Sequence, residues 1–169
     1  MKKHFLSVSA FLFTVLALPV EAYHHNHSMM KQDNIVETAI ANQDFSTLVS
    51  LLAQEGLAGT LSGNDNFTVF APTNKAFDRM PNFYKRKLAS NPGLLKEVLL
   101  SHVVPGKVNA NMVLAKKSIA TANGNILPIG MWNNSAYVSD SKIVATDVSA
   151  SNGIIHVIDR VIVPRNLLR

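Results

Sequence analysis

The stretch that decides the fold runs from Phe67 to Phe77 and reads FTVFAPTNKAF. Its first five residues are rich in β-branched and aromatic side chains and follow a turn, which predicts a short core strand. Pro72-Thr73-Asn74 ends that strand, and the side chain of Thr73 or Asn74 can cap the helix that follows. The stretch therefore predicts a buried strand joined by a tight turn to a short helix.

Three segments around this stretch repeat apolar residues at helical spacing, and they begin near Asn34, Phe45 and Asn91. Gly56 and Gly59 are expected to end the second segment. In the third, Asn91-Pro92 offers a cap followed by a proline at the first helical position. The first and third segments are each expected to place one set of side chains on a single face: Ile35, Val36, Ala39 and Ile40, and Leu94, Leu95, Val98, Leu99 and His102.

Strand patterns replace helical patterns after Val108. Asn123-Gly124 separates two β-rich runs and predicts a hairpin, because both residues tolerate positive φ. The longest β-rich run, from Ile154 to Val163, follows a turn at Asn152-Gly153. Helices with one early strand, followed mostly by strands, are typical of an α+β fold.

The first 22 residues have the layout of a secretory signal peptide. Lys2 and Lys3 precede an uncharged apolar run from Phe5 to Val20, and Ala22 is a small residue at the expected cleavage point. The run is about 16 residues long, which is short for a membrane span of roughly 20. We therefore expect cleavage before Tyr23, no transmembrane segment afterwards, and export to the periplasm, the cell surface or the medium.

The composition limits the classes of protein that fit. Hydrophobic residues make up 47% of the chain and charged residues 16%, a balance typical of a folded domain. There is no cysteine, which excludes disulfides, thiolate metal sites and cysteine nucleophiles. Nucleic acid is not expected as a partner, because the chain has no stacking platform or helix-turn-helix pattern. Basic residues concentrate in the helical half, either as ordinary solvated surface or as a face for an anionic polysaccharide: Lys75, Arg79, Lys85, Arg86, Lys87 and Lys96.

Three segments, in their order and spacing, resemble the signatures of the fasciclin (FAS1) family. They read FTVFAPTNKAF at 67–77, LSHVVPGK at 100–107 and SNGIIHVIDRVIVP at 151–164. The resemblance places a fasciclin domain at residues 34–166, after a signal peptide at 1–22 and a disordered arm with histidine and methionine at 23–33. It implies a compact wedge, in which helices from the N-terminal half pack on a twisted, mostly antiparallel β-structure from the C-terminal half.

The resemblance also implies adhesion or contact with a matrix outside the cell. In animal members a tyrosine-histidine pair in the second segment is linked to integrin contact, and here His102 matches while Ser101 replaces the tyrosine. Asp147-Val148 stands where the family has an aspartate-isoleucine pair. These departures argue against integrin binding and leave His102 and Asp147 as candidate contacts with another partner.

Two candidate contact residues also have an alternative interpretation from the sequence alone. A lone histidine on an apolar helix face, such as His102, is typical of a hydrogen-bonded core residue. Trp132, the only tryptophan, belongs to a possible binding loop with Asn133 and Asn134. A single tryptophan is also typical of partly buried packing.

The motifs of the common catalytic sites do not occur in the sequence. It contains no Gly-x-Ser-x-Gly, no His-Glu-x-x-His, no phosphate-binding loop and no dinucleotide fingerprint. His156 and Asp159 fall on opposite faces of the last predicted strand, so their side chains cannot form a catalytic pair. We expect a protein that is not an enzyme and that binds no cofactor through its domain.

The arm after the predicted cleavage point offers one possible metal site. Cleavage before Tyr23 would leave a chain that begins Tyr23-His24-His25-Asn26-His27. Its free amine, two backbone amides and the His25 imidazole can surround Cu(II) in a square plane, with His24 and His27 as further nitrogen ligands. The alternative is a polar arm whose histidines bind nothing.

Two functions therefore stay open at this point. The first is a monomeric exported binding or adhesion module that contacts a protein or an anionic polysaccharide. The second is a small periplasmic carrier or sensor for copper or another ligand, which uses the histidine-rich arm.

Overall fold

The computed structural model describes residues 31–165, and the folded unit begins at Gln32. The predicted signal peptide and the candidate copper ligands Tyr23, His24, His25 and His27 lie outside the described residues. Within the described part there are seven α-helices: α1 Ile35–Ile40, α2 Ser46–Gln54, α3 Leu57–Leu61, α4 Asn74–Asp78, α5 Asn82–Ala89, α6 Pro92–Leu100 and α7 Ala110–Leu114. There are seven strands: β1 Phe67–Pro72, β2 Val103–Pro105, β3 Ser118–Ala120, β4 Ile126–Trp132, β5 Ser135–Val138, β6 Ser141–Ala150 and β7 Gly153–Ile158.

The strands form one mixed sheet in the order β2-β1-β7-β6-β5-β4-β3. Only β1 and β7 pair in parallel, and the other neighbours are antiparallel. The sheet curls until its two edges meet, because the Ala122 N–H just after β3 donates to the Val103 carbonyl of β2 at 2.7 Å. The predicted α+β class and the mostly antiparallel β-structure are confirmed.

The core is divided in two by the central strands β1 and β7. Alternation sends Val69 and Ile155 to the face covered by helices, where they pack with apolar residues of α1, α2, α3 and α6. Phe70 and Ile158 point the other way, into the interior of the curled sheet. We call these regions the helix-side core and the barrel interior.

Several local predictions hold because the backbone chemistry decides them. Thr73 caps α4 by accepting a hydrogen bond from the Ala76 N–H. Asn34 caps α1 in a capping box with Glu37. Gly56 follows α2 with a φ of 68°, a conformation that glycine adopts without strain.

Other local predictions are wrong. Ile40 is 61% exposed, because the buried side of α1 is complete with Ile35, Val36 and Ala39. Gly59 lies inside α3 and ends no helix. Asn91 makes no side-chain cap, since its amide donates to the Lys87 carbonyl at 3.3 Å.

The last predicted strand is too long. Strand β7 ends at Ile158, and the chain beyond it leaves the sheet. The carboxylate of Asp159 accepts from the Lys142 N–H at 2.9 Å, and the Ile162 N–H donates to the ring of His102 at 2.9 Å. The Asp159 N–H still donates to the Lys142 carbonyl at 3.1 Å, and beyond it side chains such as the ring of His102 bind the backbone in place of a strand. No helix among residues 31–165 has the length and apolarity needed to cross a membrane.

Candidate functional site

Helix α7 crosses one end of the barrel. Asn109 caps it by accepting from the Met112 N–H at 2.9 Å. Its fourth residue, Val113, is buried in the barrel interior, while Met112 is 46% exposed and Leu114 is 43% exposed. The helix therefore plugs the barrel with one side chain and presents its two apolar neighbours to solvent.

Two buried side chains hold the backbone that leads into α7. The Thr68 hydroxyl accepts from the Val108 N–H at 2.8 Å and donates to the Gly106 carbonyl at 2.7 Å. The His156 ring donates from Nε2 to the Val108 carbonyl at 2.8 Å, and the Nδ1 atom accepts from the Asp147 N–H at 3.3 Å. Both polar groups of Val108 are thus bound, which fixes the position of the helix start.

Asp147 ties strand β6 to the same helix. It lies at a register shift between Ala145 and Val148 and has a φ of 57°, which turns the strand locally. Its carboxylate Oδ1 accepts from the Ala110 N–H at 2.9 Å. The sequence prediction named Asp147 as a partner contact, and the structure shows it exposed and engaged in positioning α7.

Trp132 lies at the tip of the β4–β5 hairpin. It pairs with Ser135, and the two loop residues Asn133 and Asn134 have φ of 45° and 59°, as a two-residue type I′ turn requires. Trp132 is 68% exposed and its neighbour Met131 is 60% exposed. Because consecutive strand residues point to opposite faces, the tip is apolar on both sides. Trp132 is thus not the partly buried packing residue of the alternative interpretation.

We group the exposed apolar residues of α7, of the β4–β5 hairpin tip and of β6 under the name plug surface. Strand β6 pairs with β5 through Ser141 and Lys142, and its exposed residues Val144 and Val148 lie further along the strand, Val148 directly after Asp147. After α7, the Lys117 carbonyl accepts from the Ile129 N–H at 2.9 Å, which brings the end of the helix to β4. The plug surface contains six of the nine exposed large hydrophobic residues in the described part of the chain: Met112, Leu114, Met131, Trp132, Val144 and Val148.

His102, the third predicted contact residue, lies elsewhere and is buried. Its Nδ1 donates to the Val98 carbonyl at 2.7 Å, and its Nε2 accepts from the Ile162 N–H at 2.9 Å. Burial lowers the pKa of His102 from 6.5 to about 4, although the bond to the Val98 carbonyl acts in the opposite direction. The neighbouring Ser101 is also buried, and its hydroxyl accepts from the amides of Asn123 and Asn125. A partner cannot reach the ring of His102. Its two hydrogen bonds instead connect the end of α6 to the segment after β7.

Most residues of the plug surface were not predicted from the sequence. It named Trp132 and Asp147, which the structure brings to the same end of the barrel, but it missed Met112, Leu114 and Met131. Adjacent apolar residues at a hairpin tip break the alternation of a half-buried strand, and that break at 131–132 was the available signal. Among residues 31–165 no group of three or more histidine, aspartate or glutamate side chains could hold a metal ion.

Comparison with known proteins gives consistent matches. A model of the fasciclin domain matches residues 43–164. Protein sll1483 of Synechocystis sp. is 41% identical over 132 residues, which cover 77% of this chain and 73% of that protein. Cell surface glycolipoprotein MPB83 of Mycobacterium bovis is 31% identical over 140 residues, which cover 80% of this chain and only 62% of that protein.

A solved structure shows a similar fold. The FAS1 domain pair from the insect cell adhesion molecule fasciclin I superposes with a TM-score of 0.62 at 13% sequence identity, over 81% of this chain and 53% of that chain. Its second domain has no counterpart in the matched region.

Proposed function

This chain belongs to the fasciclin domain family, and from that premise we propose that it is an exported, non-catalytic adhesion module that binds a protein through the plug surface. The fold is similar to that of an insect cell adhesion molecule, and one relative is named a cell surface glycolipoprotein. Both support a place outside the cytoplasm, at the cell surface, in the periplasm or in the matrix. The predicted signal peptide at residues 1–22 supports the same address.

The observation that carries the proposal is the number of large apolar side chains that α7, the β4–β5 hairpin tip and β6 leave exposed. Single exposed hydrophobic residues are normal on protein surfaces, whereas contiguous apolar patches mark interaction sites. Tryptophan and methionine are enriched in protein interfaces, and tryptophan is prominent among the residues that dominate binding energy. Trp132 with Met131, Met112 and Leu114 has this composition.

The rigidity of the plug surface adds to the argument. The type I′ turn fixes the hairpin tip, and the bonds of Thr68, His156 and Asp147 fix the start of α7. A backbone that is held before binding loses less conformational entropy when a partner arrives. An aliphatic and aromatic surface of this kind fits a protein better than a polysaccharide, which needs many hydrogen-bonding groups.

The absence of catalysis is part of the proposal and has support in the two histidines of the described region. Each ring makes two hydrogen bonds to backbone groups, His102 with Val98 and Ile162, and His156 with Val108 and Asp147. A general base needs a free nitrogen within reach of a substrate. Neither ring offers one.

Binding to the envelope of the source cell tests this function. The chain from Tyr23 onward, labelled with a fluorophore, should bind the isolated envelope fraction, and protease treatment of that fraction should abolish binding. Trp132→Ala should weaken binding by about thirtyfold, the scale of an interface hot spot. The matched control is Phe83→Ala, because Phe83 is 60% exposed on α5, away from the plug surface. Equal affinity of the two variants would overturn the assignment.

The alternative function, a copper carrier or sensor, is supported by the sequence Tyr23-His24-His25-Asn26-His27, which lies outside the described residues. A chain that starts at Tyr23 should take up one Cu(II) per molecule in a square-planar nitrogen site. Replacing His24, His25 and His27 with alanine should abolish that uptake and leave envelope binding unchanged. Unchanged Cu(II) affinity in the triple variant would eliminate this alternative.

A further inference from the structure

Two adjoining clefts lie at the β5–β6 turn, at the other end of β5 from the hairpin tip that carries Trp132. Strand β5 connects the two ends, since Ser135 lies at the hairpin tip while Val138 leads into the turn at Ser139 and Asp140. The clefts have volumes of about 550 and 630 Å³ and share Asp140 and Val163 in their walls. Together they follow the extended segment from Arg160 to Arg165, and we call them the arginine groove.

Three arginines line the groove. Arg79 and Arg160 line the first cleft and Arg165 the second, whereas Asp140 is the only acidic residue among residues 31–165 that lines either cleft. Arg79 is held weakly by Asp159, at 3.5 Å, and its side chain is 61% exposed. Within residues 31–165 the Arg160 guanidinium makes no hydrogen bond or ion pair, so it is available to a ligand.

The surface between these charges is apolar or aromatic. Met80, Val161 and Val163 line the first cleft together with Tyr84, whose ring is held edge-to-face against Phe83 at 5.4 Å. The second cleft adds the polar side chains of Asn125 and Ser139. Apolar surface with a few convergent polar groups, in volumes of this size, is typical of ligand sites.

We propose that the arginine groove binds an acidic polysaccharide whose sugar rings carry carboxylate groups. A guanidinium binds a carboxylate through two parallel hydrogen bonds. The apolar faces of the sugar rings would lie on Tyr84 and the valines, and their hydroxyls would meet Ser139 and the side-chain oxygen of Asn125, whose amide is bound to Ser101. The five-residue span from Arg160 to Arg165 can extend to about 17 Å, so charges placed along it match a repeating anionic chain better than a single small anion.

This site is separate from the plug surface, and it goes beyond the proposed function. A module that holds a protein at one end and a polysaccharide at the other can connect the two, which is what adhesion to a matrix requires. The basic residues of the helical half that the sequence singled out are mostly not involved, since only Arg79 of that group lines the groove. Arg160 and Arg165 supply the other two charges.

The test is binding of the chain from Tyr23 onward to polygalacturonate, measured by isothermal titration calorimetry with neutral dextran as a blank. We expect Arg160→Gln to weaken binding to polygalacturonate about tenfold or more, since a charge-assisted bidentate contact is lost. Arg86→Gln is the matched control, because Arg86 is exposed on α5 outside the groove and its loss changes the net charge equally. Thermal unfolding of both variants confirms that they fold.

Each outcome decides the proposal. A loss with Arg160→Gln that Arg86→Gln does not reproduce supports the groove. Equal losses in the two variants would show attraction to the overall positive charge, and tighter binding of poly-glutamate than of polygalacturonate would show an acidic protein as the ligand; either overturns the inference. Trp132→Ala should leave polygalacturonate binding unchanged, so failure of the groove and failure of the plug surface are distinguishable.

Discussion

The two faces of the central strands β1 and β7 are packed in different ways. On the helix side, Val69 and Ile155 meet apolar side chains from four helices. On the barrel side, Phe70 and Ile158 share the interior with Thr68 and His156, which are completely buried and fully hydrogen bonded. The helix-side core is thus built mainly from apolar volume, whereas the barrel interior combines apolar volume with directed hydrogen bonds.

This difference connects the core to the function. The helices can shift slightly against the sheet, because their contacts are side-chain contacts. The barrel interior is enclosed by strand ladders, by the bond between Ala122 and Val103, and by the plug helix α7. The barrel interior can therefore relax less around a cavity than the helix-side core can. Its buried side chains also hold the backbone on which the residues of the plug surface lie.

The largest expected effect comes from a matched pair of substitutions on β7. Ile158→Ala removes a fully buried side chain from the barrel interior, and Ile155→Ala removes an equal one from the helix-side core. We expect Ile158→Ala to lower the free energy of unfolding by about 4 kcal/mol and Ile155→Ala by about 3 kcal/mol, because residual cavity volume adds to the cost. Urea unfolding of both variants measures the difference. Equal losses, or a larger loss for Ile155→Ala, would contradict the comparison.

The second expected effect is a loss of stability in acid. The Val98 carbonyl can only accept and the Ile162 N–H can only donate, so the neutral ring of His102 fits its site and the charged ring does not. Its pKa is about 4 in the fold, mainly because of burial, against an ordinary 6.5. Between these values the unfolded chain binds a proton that the folded chain does not. His102 therefore makes its full contribution to the free energy of unfolding above pH 6.5. About 3 kcal/mol of this contribution is lost as the pH falls towards 4.

Urea titrations at pH 7 and pH 4.5 check this prediction. The readout is the difference in pH dependence between the wild type and His102→Gln, which isolates the effect of this one ring. The variant is expected to be less stable at pH 7 and to lose less stability on acidification. A variant with the same pH dependence as the wild type would show that His102 titrates normally.

The parts of the fold that local sequence patterns determine were predicted, and the parts that depend on distant residues were not. Periodicity and caps located the helix-side core well, because apolar spacing and the side chains of Asn34 and Thr73 act locally. The sequence missed β2, since its three residues follow a helix directly and gain strand geometry only by pairing with β1. It also extended β7 too far, because bonds from distant side chains, such as the ring of His102, redirect the chain after Ile158.

The candidate site was predictable only in part, for a similar reason. Trp132 and Asp147 were named from the sequence, and both lie at the plug end. The exposure of Met112 and Leu114 depends on which side of α7 enters the barrel, and five residues contain too little periodicity to decide that. The arginine groove joins residues about 80 positions apart along the chain, Arg79 and Arg160, which only the folded topology brings together.

The smallest of the three expected effects concerns a buried polar side chain on the helix side. This one side chain binds backbone groups there, as several buried side chains do in the barrel interior. Asn152 is buried; its carbonyl oxygen accepts from the Ile35 N–H at 2.9 Å, and its amide donates to the carbonyls of Leu61 and Gly63. Asn152→Ala should lower the free energy of unfolding by about 2 kcal/mol, because buried backbone groups lose their partners. The exposed Asn64→Ala is the control, with no expected change.

If urea unfolding shows that Asn152→Ala costs no more stability than Asn64→Ala, apolar packing alone stabilises the helix side, unlike the barrel interior. The expected loss means that buried hydrogen bonds contribute to stability on both sides, but fewer of them on the helix side. Both halves of the domain then use a few buried polar side chains to fix the ends of their helices. On the barrel side alone, those fixed ends carry the exposed residues of the plug surface.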